Sequence, residues 1–264
     1  VTGPARVLIV AGSDSGGGAG IQADLKTVAA FGAYGMTAIT ALTAQNTMGV
    51  FGVEPATPEF VARQMRVVLE DIGADSIKIG MLANAGTAEA VAGMLASPLA
   101  RSLPAVVDTV LAATRGGGLL DRAGLETLRR RILPGATLVT PNLPEAEILT
   151  GLAARDLDGM RRAADALLAM GARGVLIKGG HLDSDMLIDV LAGEGGEAIF
   201  RHARIVSRHT HGTGCVLSSA IAARLAQSAA LPDAVADAIA HVQAAIRAAP
   251  GLGKGNGPLG IVPG

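Results

Sequence analysis

The sequence predicts an α/β fold: a mostly parallel sheet with an antiparallel edge hairpin. Three observations point there. Short β-rich runs alternate along the chain with stretches of helical periodicity. Most of those runs are apolar on both faces, as expected for central strands of a parallel sheet. The segment 185–206 breaks the alternation with two extended runs about Gly193–Gly196, the pattern of a hairpin.

The elements follow in order. Arg6–Ala11 is the first expected strand and Gly20–Phe31 the first helix. Met36–Leu42 is a strand, followed by a helix over Pro58–Ile72, with Thr57 as N-cap and Pro58 at the first helical position. Strands at Ser76–Ile79, Ala105–Asp108, Thr137–Thr140 and Gly174–Lys178 complete the parallel set. Helices at Ala85–Leu95, Arg122–Arg131, Pro144–Leu149 and Leu157–Met170 separate them. Two helices close the chain, Thr213–Ala226 and Pro232–Ala248. No linker, repeat or low-complexity block interrupts residues 1–264, which read as a single domain.

Composition narrows the function. Half the residues are hydrophobic but only 2% are aromatic, so a large core must be built from Ala, Val, Leu, Ile and Met. A net charge of −1 points to neither nucleic acid nor an anionic membrane as partner. The single cysteine excludes an intramolecular disulfide and suits a reducing compartment. No apolar run approaches the ~18 residues of a membrane-spanning helix. A cytoplasmic location is expected.

In open parallel sheets, ligands gather beyond the carboxyl ends of the strands. After the first strand comes Gly12-Ser13-Asp14-Ser15-Gly16-Gly17-Gly18-Ala19-Gly20, a loop able to cradle a ligand with backbone amides. It is not a Walker A loop, because no Gly-Lys-Ser/Thr occurs in the chain. After the second strand, Gln45 offers one acceptor and one donor, which suits the edge of a heterocycle. A surface-loop glutamine is an equal reading. Met81, after the third, lines an apolar slot or fills the core. Asp108 ends the next strand, and Asn142 and Glu145 follow the one after it. Two or three such oxygens suit Mg²⁺, although Glu145 also fits an ordinary first-turn helix acid. Lys178 closes the sixth strand, where it can reach a phosphate, and Gly179-Gly180-His181 follows.

The last of these turns is His211-Gly212-Thr213-Gly214-Cys215. It opens a helix, so its free N–H groups form an anion site. The helix end is expected to lower the thiol pKa of Cys215 and make it a base or nucleophile. A lone cysteine is otherwise a small buried hydrophobe. Together these segments match phosphoryl transfer from a nucleotide to an alcohol, a reaction of positioning and charge neutralisation.

The chain resembles the hydroxymethylpyrimidine/phosphomethylpyrimidine kinases of thiamin biosynthesis, within the ribokinase-like superfamily. Its markers run from Ala11-Gly12-Ser13-Asp14 through Thr43-Ala44-Gln45-Asn46, Lys78-Ile79-Gly80-Met81 and Thr140-Pro141-Asn142-Leu143-Pro144-Glu145 to Lys178-Gly179-Gly180-His181 and His211-Gly212-Thr213-Gly214-Cys215. The resemblance implies a ribokinase-like three-layer α/β/α sandwich that uses ATP and Mg²⁺. It implies that 4-amino-5-hydroxymethyl-2-methylpyrimidine is phosphorylated twice. Gln45 would bind the aminopyrimidine, with Ala19 and Met81 lining its pocket. Gly212, Thr213, Gly214 and Cys215 would form the anion hole, with Cys215 as base. Asp108 and Glu145 would organise Mg²⁺, while Lys178, Asn142 and Lys254 would serve ATP. A homodimer is implied as well. The chain departs from many relatives at Asp108-Thr109-Val110-Leu111 and at Thr114-Arg115-Gly116. A pyridoxal kinase on the same fold is the alternative, and a cysteine hydrolase using Cys215 with His209 or His211 is a remote one.

Overall fold

A computed structural model describes residues 3–111, 120–180 and 185–261. The Thr114-Arg115-Gly116 departure and His181 lie outside them. Among the described residues nine strands form one sheet. In chain order they are β1 (Arg6–Asp14), β2 (Tyr34–Asn46), β3 (Gly49–Pro55), β4 (Ser76–Ile79), β5 (Ala105–Val107), β6 (Leu138–Val139), β7 (Gly174–Lys178), β8 (Met186–Gly193) and β9 (Gly196–Ala203). Their order across the sheet is β3-β2-β1-β4-β5-β6-β7-β8-β9. The six from β2 to β7 run parallel, and antiparallel strands close both edges.

The helices are α1 (Gly20–Ala30), α2 (Pro58–Asp71), α3 (Ala85–Leu95), α4 (Arg122–Thr127), α5 (Leu143–Thr150), α6 (Leu157–Ala169), α7 (Thr213–Ala226) and α8 (Leu231–Arg247). Strand residues alternate between two cores, as the pleat requires. Leu8, Ile77 and Val107 face α2 through α6, whereas Val7, Ile9 and Val106 face α1, α7 and α8. This is the three-layer α/β/α arrangement. Each fully buried Leu, Ile or Val contributes about 1.5–3 kcal/mol. A one-residue slip in register would forfeit that on both faces at once.

Local chemistry sets the ends. The Thr57 hydroxyl accepts the Phe60 N–H at 3.3 Å and caps α2, with Pro58 just inside. Three expectations need correction. Residues 43–46 are not a loop: β2 continues through Asn46, and Gln45 is a strand residue. The partner that prolongs it, β3, is absent from the reading of the sequence. It is exposed along most of its length and interrupted by Gly52, so it carries no core alternation. The helix expected over Arg122–Arg131 is α-helical only to Thr127, where a π turn (Leu128–Ile132) and a 3-10 turn (Leu133–Gly135) take over. Pro134 lacks the N–H that an α-helix needs, and the changed pitch buries Leu128, Ile132 and Leu133 together.

Candidate active site

A cavity of about 900 Å³ opens at the carboxyl ends of the parallel strands, where β1, β2, β5 and β7 meet the first turn of α7. Gln45, Ala19 and Met81 line one part of it. Asp108, Asn142, Glu145 and Lys178 line another, and Gly212 to Cys215 border both. Lys254 does not line it: it is exposed in the tail, whose Asn256 N–H donates to Thr47 O at 2.8 Å. The structure therefore brings together every expected site residue except Lys254.

The α7 turn depends on two glycines. Gly212 has φ of +88°, and a Cβ there would stand 2.0 Å from Gly18 O. Gly212 has no side chain to cap the helix, so the amides of Gly214 and Cys215 keep no intrahelical partner. A Cβ on Gly214 would stand 3.2 Å from Asp108 Oδ2 and 3.4 Å from Lys178 Nζ. A substrate phosphoryl group can therefore meet helix amides, an ammonium and a carboxylate within one small volume.

Lys178 Nζ donates to Asp108 Oδ1 at 3.1 Å, and the Thr140 hydroxyl donates to the same oxygen at 3.2 Å. Burial pushes the Asp108 carboxyl up, but Lys178 and Lys78 pull it below the usual carboxylate range. Burial likewise pulls Lys178 down, while Asp108 and Glu145 more than restore it. Asn142 and Glu145 form a capping box at the start of α5. Asn142 Oδ1 accepts the Glu145 N–H, and Glu145 Oε2 accepts the Asn142 N–H, each at 2.9 Å. Thr109 donates to the same Oε2 at 3.0 Å. Glu145 Oε1 takes no hydrogen bond from the described residues, so the helix-start role leaves one oxygen for a cation. Burial raises the Glu145 pKa, Lys178 opposes the rise and Asp108 adds to it. No cluster of three or more His, Cys, Asp or Glu forms among the described residues. Two carboxylates suit an ion that keeps its waters and shares phosphate oxygens.

Cys215 corrects the expectation of an activated thiol. Burial pushes it up to about 12, Asp24 and Asp108 add to the rise, and Lys78 with the Gly20 N–H offsets only part of it. The helix end is outweighed chiefly by burial, to which the two carboxylates add. Among the described residues neither His209 nor His211 hydrogen-bonds to Cys215. His211 Nε2 lies 3.0 Å from Asp14 Oδ2, and His209 accepts from Arg208. The paired base that a cysteine hydrolase needs is not supplied.

Two groups escaped the sequence reading. Asp14 gathers the Gly-rich loop: its carboxylate accepts N–H groups of Gly16, Gly18 and Ala19 at 2.7, 3.0 and 2.9 Å. Lys78 is wholly buried, with Nζ 2.9 and 2.8 Å from the two Asp24 oxygens. An aspartate two residues before a run of glycines was a readable sign of the first. A lysine inside an otherwise apolar strand was a sign of the second.

Comparison with known proteins adds an independent line. A family profile described as phosphomethylpyrimidine kinase matches residues 14–260. A hydroxymethylpyrimidine/phosphomethylpyrimidine kinase of Streptomyces coelicolor is 50% identical over 97% of this chain and 94% of its own length. A thiamine biosynthesis bifunctional protein of Geobacter sulfurreducens is 51% identical over 97% of this chain, which spans about half (52%) of that relative. Among solved structures, an ADP complex of Bacillus subtilis pyridoxal kinase superposes with a TM-score of 0.89 at 34% identity, covering 97% of each chain.

Proposed function

Because the chain belongs to the phosphomethylpyrimidine kinase family and is thus a phosphotransferase, we propose that it phosphorylates 4-amino-5-hydroxymethyl-2-methylpyrimidine and then its monophosphate. ATP is the phosphoryl donor, and the product is the pyrophosphate used in thiamin biosynthesis. One observation carries the reading. A single cavity holds a donor–acceptor amide, Gln45, together with Lys178 and Asp108 packed close against Gly214 at the start of α7.

Gln45 pairs with the ring edge, and Ala19 and Met81 border the ring. Lys178 and the amides of Gly212 to Cys215 bind the transferred phosphoryl oxygens, where charge develops. Asn142 orders the nucleotide side through the α5 cap. Asp108 and Glu145 hold Mg²⁺, which supplies charge neutralisation at the phosphates. Cys215, in its thiolate form, takes the proton of the acceptor hydroxyl and becomes the thiol. The exposed apolar side chains Leu42, Phe51 and Val53 on β2 and β3, with Met48 in the turn between them, support a homodimer through that edge, readable by sedimentation. A single free cysteine supports a cytoplasmic protein.

The deciding experiment incubates the protein with ATP, Mg²⁺ and the hydroxymethylpyrimidine and follows products by mass. Mono- and then diphosphate are expected. A parallel arm with pyridoxal tests the alternative: turnover of pyridoxal alone overturns the substrate assignment. Turnover without ATP overturns the kinase.

A further inference from the structure

His211 stands between two groups that differ in what they can do. Its Nε2 is 3.0 Å from Asp14 Oδ2 and 3.1 Å from the side-chain amide of Gln45. The other end of that amide is 3.2 Å from Thr43 Oγ1, and Thr43 Oγ1 is 2.9 Å from Ser13 O. The two ends of an amide are nearly isosteric, so Gln45 has two settings in the same space. In the first, Nε2 faces His211 and Oε1 faces Thr43. In the second, they exchange.

Proton counting separates the two. Asp14 is a carboxylate and Ser13 O a carbonyl, and both only accept. Nε2 of His211 must therefore carry a proton and give it to Asp14. Thr43 gives its one proton to Ser13 O. With the amide nitrogen towards His211, two N–H groups face each other and Oε1 meets an oxygen that has no proton left. With the carbonyl towards His211, the Nε2 proton is shared between Asp14 and Gln45, and the Gln45 amino group donates to Thr43. Every group is then satisfied, as half-buried polar groups require.

We infer that His211 is a positioning residue that holds the Gln45 carbonyl on the His211 side and thereby sets which way round the pyrimidine binds; this rests on the proposed pyrimidine substrate. The remaining lone pair and N–H of Gln45 are left for the ring. A 4-aminopyrimidine places its amino donor beside the N3 acceptor, so the amino group goes to the His211 side and N3 to the Thr43 side. Position 5 adjoins position 4, and Gly212 adjoins His211. The 5-hydroxymethyl group is thus turned towards the Gly212–Cys215 turn. The opposite setting would turn the ring over and carry the hydroxyl away.

The test compares the 4-amino substrate with its 4-oxo analogue, which presents an acceptor at position 4 and N–H at N3. The ratio of their kcat/KM values is measured in wild type, His211→Leu and His211→Gln. The leucine variant is expected to lose roughly tenfold or more of the preference with KM for ATP unchanged. His211→Gln, which restores an N–H at the same reach, is expected to recover most of it. A preference in His211→Leu within about twofold of wild type overturns the inference. Nitrogen NMR of histidine-labelled wild type gives a second reading that needs no variant. Nε2 of His211 is expected to be protonated, and an unprotonated Nε2 overturns the relay. A wild type that phosphorylates pyridoxal and not the pyrimidine overturns the substrate assignment, while the relay stands or falls on the nitrogen spectrum.

Discussion

Cys215 is in the place expected of it, but its pKa is shifted in the opposite direction. Its thiol is pushed up to about 12 by burial and by two carboxylates, so thiolate is scarce near neutrality and grows as pH rises. If it is the base, kcat at saturating substrates should climb with pH through the neutral and alkaline range. Cys215→Asp should flatten that climb, because a carboxylate is already ionised there. Cys215→Ser should lose about 10²–10⁴ in kcat with both ligands still bound. A wild-type profile level from neutral to alkaline pH would remove the cysteine from proton transfer. The position of this residue was legible because glycines and a helix start surround it in sequence. Its pKa was not, because Asp24 and Asp108 reach it from other elements. Asp108 and Lys178 were legible because the ends of β5 and β7 fall within a residue of where they were expected, whereas Gln45 was singled out for its amide although β2 runs past its expected end at Leu42. Lys254 shows the limit: a tail can be recognised in sequence without its side chain reaching the cavity.

At the scale of the element, α5 combines a structural and a chemical task in one residue. Glu145 closes the capping box through Oε2 and leaves Oε1 free of hydrogen bonds from the described residues, on a carboxyl group that feels the charges of Lys178 and Asp108. Gln serves at the same capping position, so Glu145→Gln should keep α5 and the thermal midpoint while removing one charge from the pair. The Mg²⁺ concentration for half-maximal activity should rise several-fold, measured by titration at saturating ATP. An unmoved Mg²⁺ requirement would leave Glu145 a cap and nothing more. Elements themselves were readable where burial is two-sided or a cap is local. β4 and β7 begin and end at the expected residues, and Thr57 and Pro58 start α2 as expected. β3 was not readable, since an exposed edge strand with an internal glycine carries neither a core pattern nor continuous β-propensity.

The sheet and one of its two helix layers are tied together beneath the cavity by one buried charge network. Lys78 comes from β4, Asp24 from α1 and Ser219 from α7, and all three are 0% exposed. Lys78 Nζ binds both Asp24 oxygens, and the Ser219 hydroxyl donates to Asp24 Oδ1 at 2.8 Å. Burial alone would strip the Lys78 charge, but the Coulomb attraction of Asp24 holds it above the usual lysine value. Burial also pushes the Asp24 carboxyl up; the 2.8 Å contact with Lys78 is what holds the pair ionised, in a place where neither partner tolerates being alone. Lys78→Met should leave an unpaired buried carboxylate and lose about 3–5 kcal/mol of stability. Lys78→Met with Asp24→Asn removes both charges, keeps an acceptor for Ser219, and should recover most of the loss. Chemical denaturation of the wild type, both single variants and the double variant measures the coupling. Strict additivity would mean that the network does not join the layers. Recovery of stability without recovery of activity would separate two roles for Lys78. Lys78 pulls the Cys215 thiol down and Asp24 pushes it up, so the double variant, which removes both charges, should displace the alkaline rate limb towards high pH by only the difference between the two.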